Sequence, residues 1–177
     1  REAKLYLAAP LERELLEKHF GSLITEQDEV AWDTRVGAVI ARRVKRLGAL
    51  VLEERPLRGG IESDTRAAML AGIRALGLDC LPWTKDLQQW RARITVVRSS
   101  ATTPEQAGEW PDVSDAALLA TLEDWLAPWL AGVTRREHLA RVDLRGALHG
   151  LLDWNAQRRL DEWAPTHLTV PSGSRIA

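Results

Sequence analysis

The sequence predicts an α+β fold. A small antiparallel β-barrel, or part of one, occupies residues 1–60, and a mostly α-helical segment over 61–177 ends in a β-turn and strand. Three observations carry this reading. From Val30 the apolar residues alternate with period two. After Gly60 they recur instead at helical spacing. Eight Trp stand against one Tyr and one Phe, so Trp is the main large anchor of the core.

Lys4–Ala9 reads as a short apolar strand ended by Pro10. Leu11–Phe20 reads as a helix, with Leu11, Leu15, Leu16 and His19 on one stripe and Gly21 as its stop. One extended segment is then predicted, with Val30, Trp32, Thr34, Val36, Ala38, Ile40 and Val44 on one parity. Arg35, Gly37, Arg43 and Lys45 lie on the other. Ala49–Leu52 is a further apolar run, closed by Pro56 and Gly59-Gly60.

The helical part opens with Ser63 and Asp64 as candidate caps for a stripe of Met69, Ile73 and Leu76 that stops at Gly77. Thr84 is placed to cap a second helix with Leu87, Trp90, Ile94 and Val97 inward. Residues 99–112, rich in Ser, Thr, Pro and Gly, are the expected loop or sub-boundary. A third helix starts at Ser114 or Asp115 and carries Leu118, Leu122, Trp125 and Trp129 inward, disturbed by Pro128. Two short helices follow, around Leu144–Asp153 and Ala156–Trp163. His167–Val170 and Arg175-Ile176 read as strands about a turn at Pro171–Ser174.

The net charge of -1 excludes a uniformly basic nucleic-acid coat protein but hides blocks of opposite sign. Residues 35–46 hold five cations and no acid, whereas 101–130 hold six acids and no base. A single cysteine, Cys80, excludes an internal disulfide and points to a reducing compartment. No apolar run reaches the ~20 residues that span a bilayer, and Leu5–Ala9 is too short for a signal-peptide core. With no initiator Met, the chain reads as a piece of something longer.

No catalytic constellation is expected. The sequence holds no phosphate-cradling Gly-x-x-x-x-Gly-Lys-Ser/Thr loop, no acidic box for Mg²⁺ and no Gly-x-Ser-x-Gly elbow. The four His residues lack an i, i+4 partner and Cys80 stands alone, so no metal site is expected.

The strongest functional feature is the segment Arg35–Arg46. On an extended strand Arg35, Gly37, Arg43 and Lys45 project to one side, a stripe able to follow a phosphate backbone that Gly37 lets approach closely. The same residues equally describe an edge strand kept soluble by charge. Arg91, Arg93 and Arg98 near Trp90 form a weaker basic group, readable as a solvated face over a core Trp. The turn Ser172, Gly173, Ser174 with Arg175 could aim backbone N–H groups at an anion, or be an ordinary β-turn.

Several stretches, in order along the chain, resemble the C-terminal region of HrpB-type bacterial DEAH-box helicases. They are Leu5–Leu11, Val30–Asp33, Gly37–Arg42, Leu47–Leu57, Gly77–Trp83, Trp110–Asp115, Leu122–Leu130 and Val170–Arg175. The resemblance implies an ATP-dependent helicase, cytoplasmic in a bacterium, in which ATP and Mg²⁺ belong to RecA-like domains absent from this sequence. Residues 1–60 would be an OB-like region incomplete at its N-terminus, and 61–177 a family-specific helical extension. The implied partners are single-stranded RNA or DNA and the RecA-like domains of the same protein, with no membrane. The resemblance agrees with the reading of the basic segment, whose Arg35, Gly37, Arg42, Arg43, Lys45 and Arg46 are the expected nucleic-acid contacts. The alternative is a protein-interaction module whose Trp-rich helices dock a partner or the helicase core.

Overall fold

Arg13–Phe20 form helix α1, with no residue buried. Strands β1 (Ile24–Asp33), β2 (Ala38–Leu47) and β3 (Leu50–Pro56) follow. A computed structural model describes residues 12–57, 62–169 and 175–176. The strand expected at Lys4–Ala9 therefore lies outside the described residues.

The three strands make an open antiparallel sheet in the order β1-β2-β3. Val44 pairs with Glu54 and Lys45 with Glu53, and the register then shifts at Lys45/Arg46, so that Arg46 faces Val51. Leu52 is the extra residue of this bulge, which bends the edge strand β3.

The single extended segment expected from Val30 to Lys45 is instead a hairpin. Asp33 Oδ1 accepts from the N–H groups of Arg35 and Val36, at 2.8 and 3.0 Å. Gly37 donates to the Asp33 carbonyl at 2.8 Å and sits at φ +66°, a conformation that favours glycine. An aspartate that captures the backbone donors two and three residues on makes a turn, and this local bonding overrides the apolar alternation across 32–38.

The chain divides into two units, Arg1–Val30 with Ile40–Gly60 and Ala31–Val39 with Ile61–Ala177. In the first, Val44 is fully buried, while Leu23, Leu50 and Val51 are exposed.

The second unit contains α2 (Glu62–Leu76), α3 (Lys85–Ser99), α4 (Pro104–Gly108), α5 (Asp115–Ala120), α6 (Leu122–Trp125), α7 (Leu144–His149) and α8 (Trp154–Trp163). Helix α2 begins ahead of Ser63 and Asp64, which lie in its first turn rather than at its cap. Helix α3 follows its sequence pattern: Thr84 accepts from the Leu87 N–H, and Leu87, Trp90, Ile94 and Val97 are buried. The 99–112 segment is not all loop. Thr103 caps α4, Pro104 starts it, and Trp110 is buried just beyond.

The expected third helix is broken in two. Thr121 turns its hydroxyl back to the Ala117 carbonyl at 2.9 Å and leaves helical geometry at φ -111°, ψ 23°. Pro128 then holds Ala127–Trp129 in a 3₁₀ turn. Trp125 keeps its inward position and donates its indole N–H to the Leu118 carbonyl at 2.9 Å. Trp129 does not: the helical register has gone, and it is 42 % exposed. Its ring lies over Gly146, where a Cβ would come within 2.5 Å.

The core of this unit runs from Met69 to Leu160, with Met69, Ile73, Ile94, Leu122, Leu126, Leu139 and Leu148 wholly buried. Trp32 packs against it over Gly72, where a Cβ would fall 2.4 Å from the Trp32 ring. Strands β4 (Leu168–Thr169) and β5 (Arg175–Ile176) pair antiparallel, as the sequence predicts.

Candidate nucleic-acid interface

Four of the predicted contacts, Arg42, Arg43, Lys45 and Arg46, lie on β2. Pleating sends them to opposite faces, Arg42 and Arg46 to one and Arg43 and Lys45 to the other. Each has an acidic partner. Glu29 on β1 accepts from Arg46 at 2.8 Å and from Arg42 at 3.2 Å. Arg42 also reaches Glu54 on β3 at 3.0 Å.

On the other face Asp28 takes both Arg43 Nε and Nη2, at 2.7 and 3.0 Å. Lys45 Nζ donates to Glu17 on α1 at 2.8 Å. Arg13 and Arg55 both donate to Glu53.

These hydrogen bonds favour the ionised carboxylates. The bond from Lys45 holds the Glu17 carboxyl below its ordinary value, and that from Arg43 does the same to Asp28. Arg46 lowers Glu29 chiefly through its hydrogen bond, as Arg13 lowers Glu53. Residues 35–46 contain no acid, but β1, α1 and β3 supply them.

Arg35 and Gly37 stand elsewhere, in the turn rather than on the strand. The turn is tied to a distant segment of its own unit. Val39 donates to the Thr134 carbonyl at 2.8 Å, Arg136 donates to the Gly37 carbonyl at 2.9 Å, and Ala38 bridges to Arg135. A shallow groove results, lined by Arg35, Gly37, Asp79, Cys80, Arg135 and Arg136, with Glu137 at its margin. Burial pushes the Cys80 thiol up, so it is a poor nucleophile. Arg135 and Arg136 were missed by the sequence reading, which singled out no residue of this stretch.

Arg91, Arg93 and Arg98 are committed to the fold. Arg91 donates to the Val113 carbonyl at 2.6 Å, Arg93 to that of Leu160 at 3.1 Å, and Arg98 to that of Ala107 at 3.0 Å. Arg159 is likewise held by Glu109 at 2.6 Å and lies over the rings of Trp110 and Trp163. Of the proposed anion turn, Ser172, Gly173 and Ser174 fall outside the described residues, and Arg175 is in β5. Among the described residues no group of His, Cys, Asp or Glu could hold a metal ion. No described helix is long and apolar enough to cross a membrane.

Comparison with known proteins supplies the class. Residues 23–57 match the family described as ATP-dependent RNA helicase HrpB, connector region. Residues 125–177 match that described as ATP-dependent helicase C-terminal. Both matches fall in accessory regions of a helicase.

The ATP-dependent RNA helicase HrpB of Escherichia coli (strain K12) is 40% identical over 176 residues, 99% of this chain and 21% of the relative. The chain thus spans about a fifth of the curated relative it matches. Crystal structures of the E. coli DExH-box NTPase HrpB and of the Escherichia coli DEAH/RHA helicase HrpB each superpose with TM-score 0.62 at 38% identity. They cover 95% and 98% of this chain, and 20% of each of those chains. The chain belongs to the HrpB-type helicases, as part of their C-terminal region.

Proposed function

We propose that this region serves an ATP-dependent DEAH-box helicase as an accessory element that contacts single-stranded RNA or DNA without reading its sequence and packs on the helicase core. ATP and Mg²⁺ would act in RecA-like domains outside this chain, in a bacterial cytoplasm. Residues 1–60 are read as an OB-like region and 61–177 as the helical extension. The three-stranded meander with a bulge at Lys45/Arg46 supports the OB-like reading. The exposed Leu23, Leu50 and Val51 offer apolar surface for packing.

The observation that carries the reading is the position of the basic strand. Arg42, Arg43, Lys45 and Arg46 fall inside the stretch that matches a helicase connector. A row of exchangeable ion pairs can hand its cations to phosphates, which carry no base information.

The test is the affinity of the full-length helicase for single strands of different sequence across a salt series, with and without Arg43→Ala/Lys45→Ala. Each lost phosphate contact should flatten the log–log slope by ~0.7, equally for every sequence. An unchanged slope would leave β2 as a structural strand.

One observation favours a second reading, an interaction module without nucleic-acid contact. All four β2 cations are matched by carboxylates of the same unit. Phosphates must then compete with partners already in place.

A further inference from the structure

We propose that the groove at the β1–β2 turn binds one phosphodiester of the strand, through Arg35, Arg135 and Arg136. The inference rests on the proposed nucleic-acid role but moves its strongest contact off β2 and onto a pair of arginines from a separate part of the sequence. On β2 every cation is ion-paired at 3.2 Å or closer. Among the described residues, Arg35 and Arg136 have no ion-pair partner, and Arg135 has only a distant one, Glu137 at 4.0 Å. A phosphate approaching the groove displaces no close salt bridge, so the full charge-assisted bond is gained.

The backbone around these side chains is fixed before any ligand arrives. Asp33 holds the N–H groups of Arg35 and Val36. The bonds Val39 N–H to Thr134 and Arg136 N–H to Gly37 hold the other wall against the turn. The guanidinium groups remain solvent-facing, with Arg135 59% exposed. Among the residues that line the groove, three guanidiniums outnumber the carboxylates of Asp79 and Glu137 by one, while Asp33 behind the turn is already bonded to its N–H groups. That balance matches a single phosphodiester and not a run of them. Arginine suits the task because its planar fork meets two phosphate oxygens at once.

The experiment uses the full-length helicase and a 5′-labelled single-stranded RNA, with affinity measured from low to high salt. Four proteins are compared: wild type, Arg135→Gln/Arg136→Gln, Arg135→Lys/Arg136→Lys and Arg43→Ala/Lys45→Ala. The Gln pair should lower the salt slope by ~0.7, one phosphate. The Lys pair should retain the slope, because it keeps the charge. Melting midpoints of all four should agree closely, since Arg43, Arg135 and Arg136 are exposed and the half-buried Lys45 gives up only a pair at the surface.

If the Gln pair leaves the slope unchanged while the β2 pair flattens it, the groove is overturned and the nucleic-acid role stands. If neither pair changes it, both fall. If the Gln pair alone flattens it, the groove is established as the contact. If the Lys pair flattens it as much as the Gln pair, the arginines act through packing, and the proposal is overturned.

Discussion

The two units are held by different physics. The helical unit buries a continuous apolar core that includes Trp90, Trp110 and Trp125. The β unit buries Val44 but exposes Leu23, Leu50 and Val51, and on both faces its sheet is laced with ion pairs. Apolar burial is non-directional and little affected by salt, whereas exposed ion pairs are screened and fade at acid pH. The lesson is that one short chain can carry both an apolar-cored block and a region whose cohesion depends on ionic conditions. The tryptophans expose this contrast to experiment. All eight lie in the helical unit, seven of them from Trp83 to Trp163 and the eighth, Trp32, at the end of β1, so their fluorescence reports mainly on that unit.

The largest expected effect is Trp125→Ala. It empties a buried ring site and leaves the Leu118 carbonyl without its indole donor. A loss of ~3–5 kcal/mol is expected in chemical denaturation followed by tryptophan fluorescence. A midpoint equal to wild type would mean that the ring is not part of the core.

Gly72→Ala should come next, by overpacking. Its new methyl would overlap Trp32 at 2.4 Å, and forcing the ring aside costs ~1–3 kcal/mol. Near-UV circular dichroism should change with the denaturation midpoint, because Trp32 must move.

A smaller effect concerns pH in the helical unit. His149 stacks on Trp90 at 5.2 Å, and burial lowers its pKa below the ordinary 6.5, with help from Arg145. The unfolded chain therefore binds this proton more readily than the folded one. The stabilisation from neutral His149 is present above about pH 6.5 and is lost as pH falls from there through the depressed folded value. Denaturation at a series of pH values should show this step, and His149→Phe should remove it.

The smallest effect in equilibrium stability belongs to the β unit. Arg43→Ala should leave the thermal midpoint of the helical unit unmoved, because an exposed pair contributes little. Acid should act collectively instead. Glu17, Asp28, Glu29 and Glu53 all have lowered pKa values, so their contribution is present above the unfolded carboxylate range and is lost as pH falls through the folded values. Strand signal in far-UV circular dichroism should fade on acidification before tryptophan emission shifts to that of the unfolded chain. Simultaneous loss of both signals would break the comparison.

The sequence was readable where one local signal decided the structure. The α3 stripe and its Thr84 cap, the inward Trp125 and the paired strands at 168–169 and 175–176 needed no distant partner. Trp129 was misread because a Thr back-bond and a proline interrupted the helical spacing. Arg35 was misread because apolar alternation hid an aspartate turn.

The matched charges on β2 needed strand pairing to become visible. A signal did exist: Asp28 and Arg43, like Glu29 and Arg42, stand equally far from the midpoint between Arg35 and Val36. A hairpin centred there sets acids opposite bases. Arg135 and Arg136 had no such signal, because only the backbone bonds to Gly37 and Val39 bring them to the turn.

Those bonds also have a consequence in time. A protein emerges from the ribosome N-terminus first, and Val39 finds its acceptor only when Thr134 has been made. Until then the hairpin can form, but its tip has no wall to lie against. Closing so long a loop is slow compared with forming a local turn. The groove is therefore one of the last features to be finished, after most of the helical core has been synthesised. A chain stalled before Thr134 would carry the basic strand complete and the groove absent.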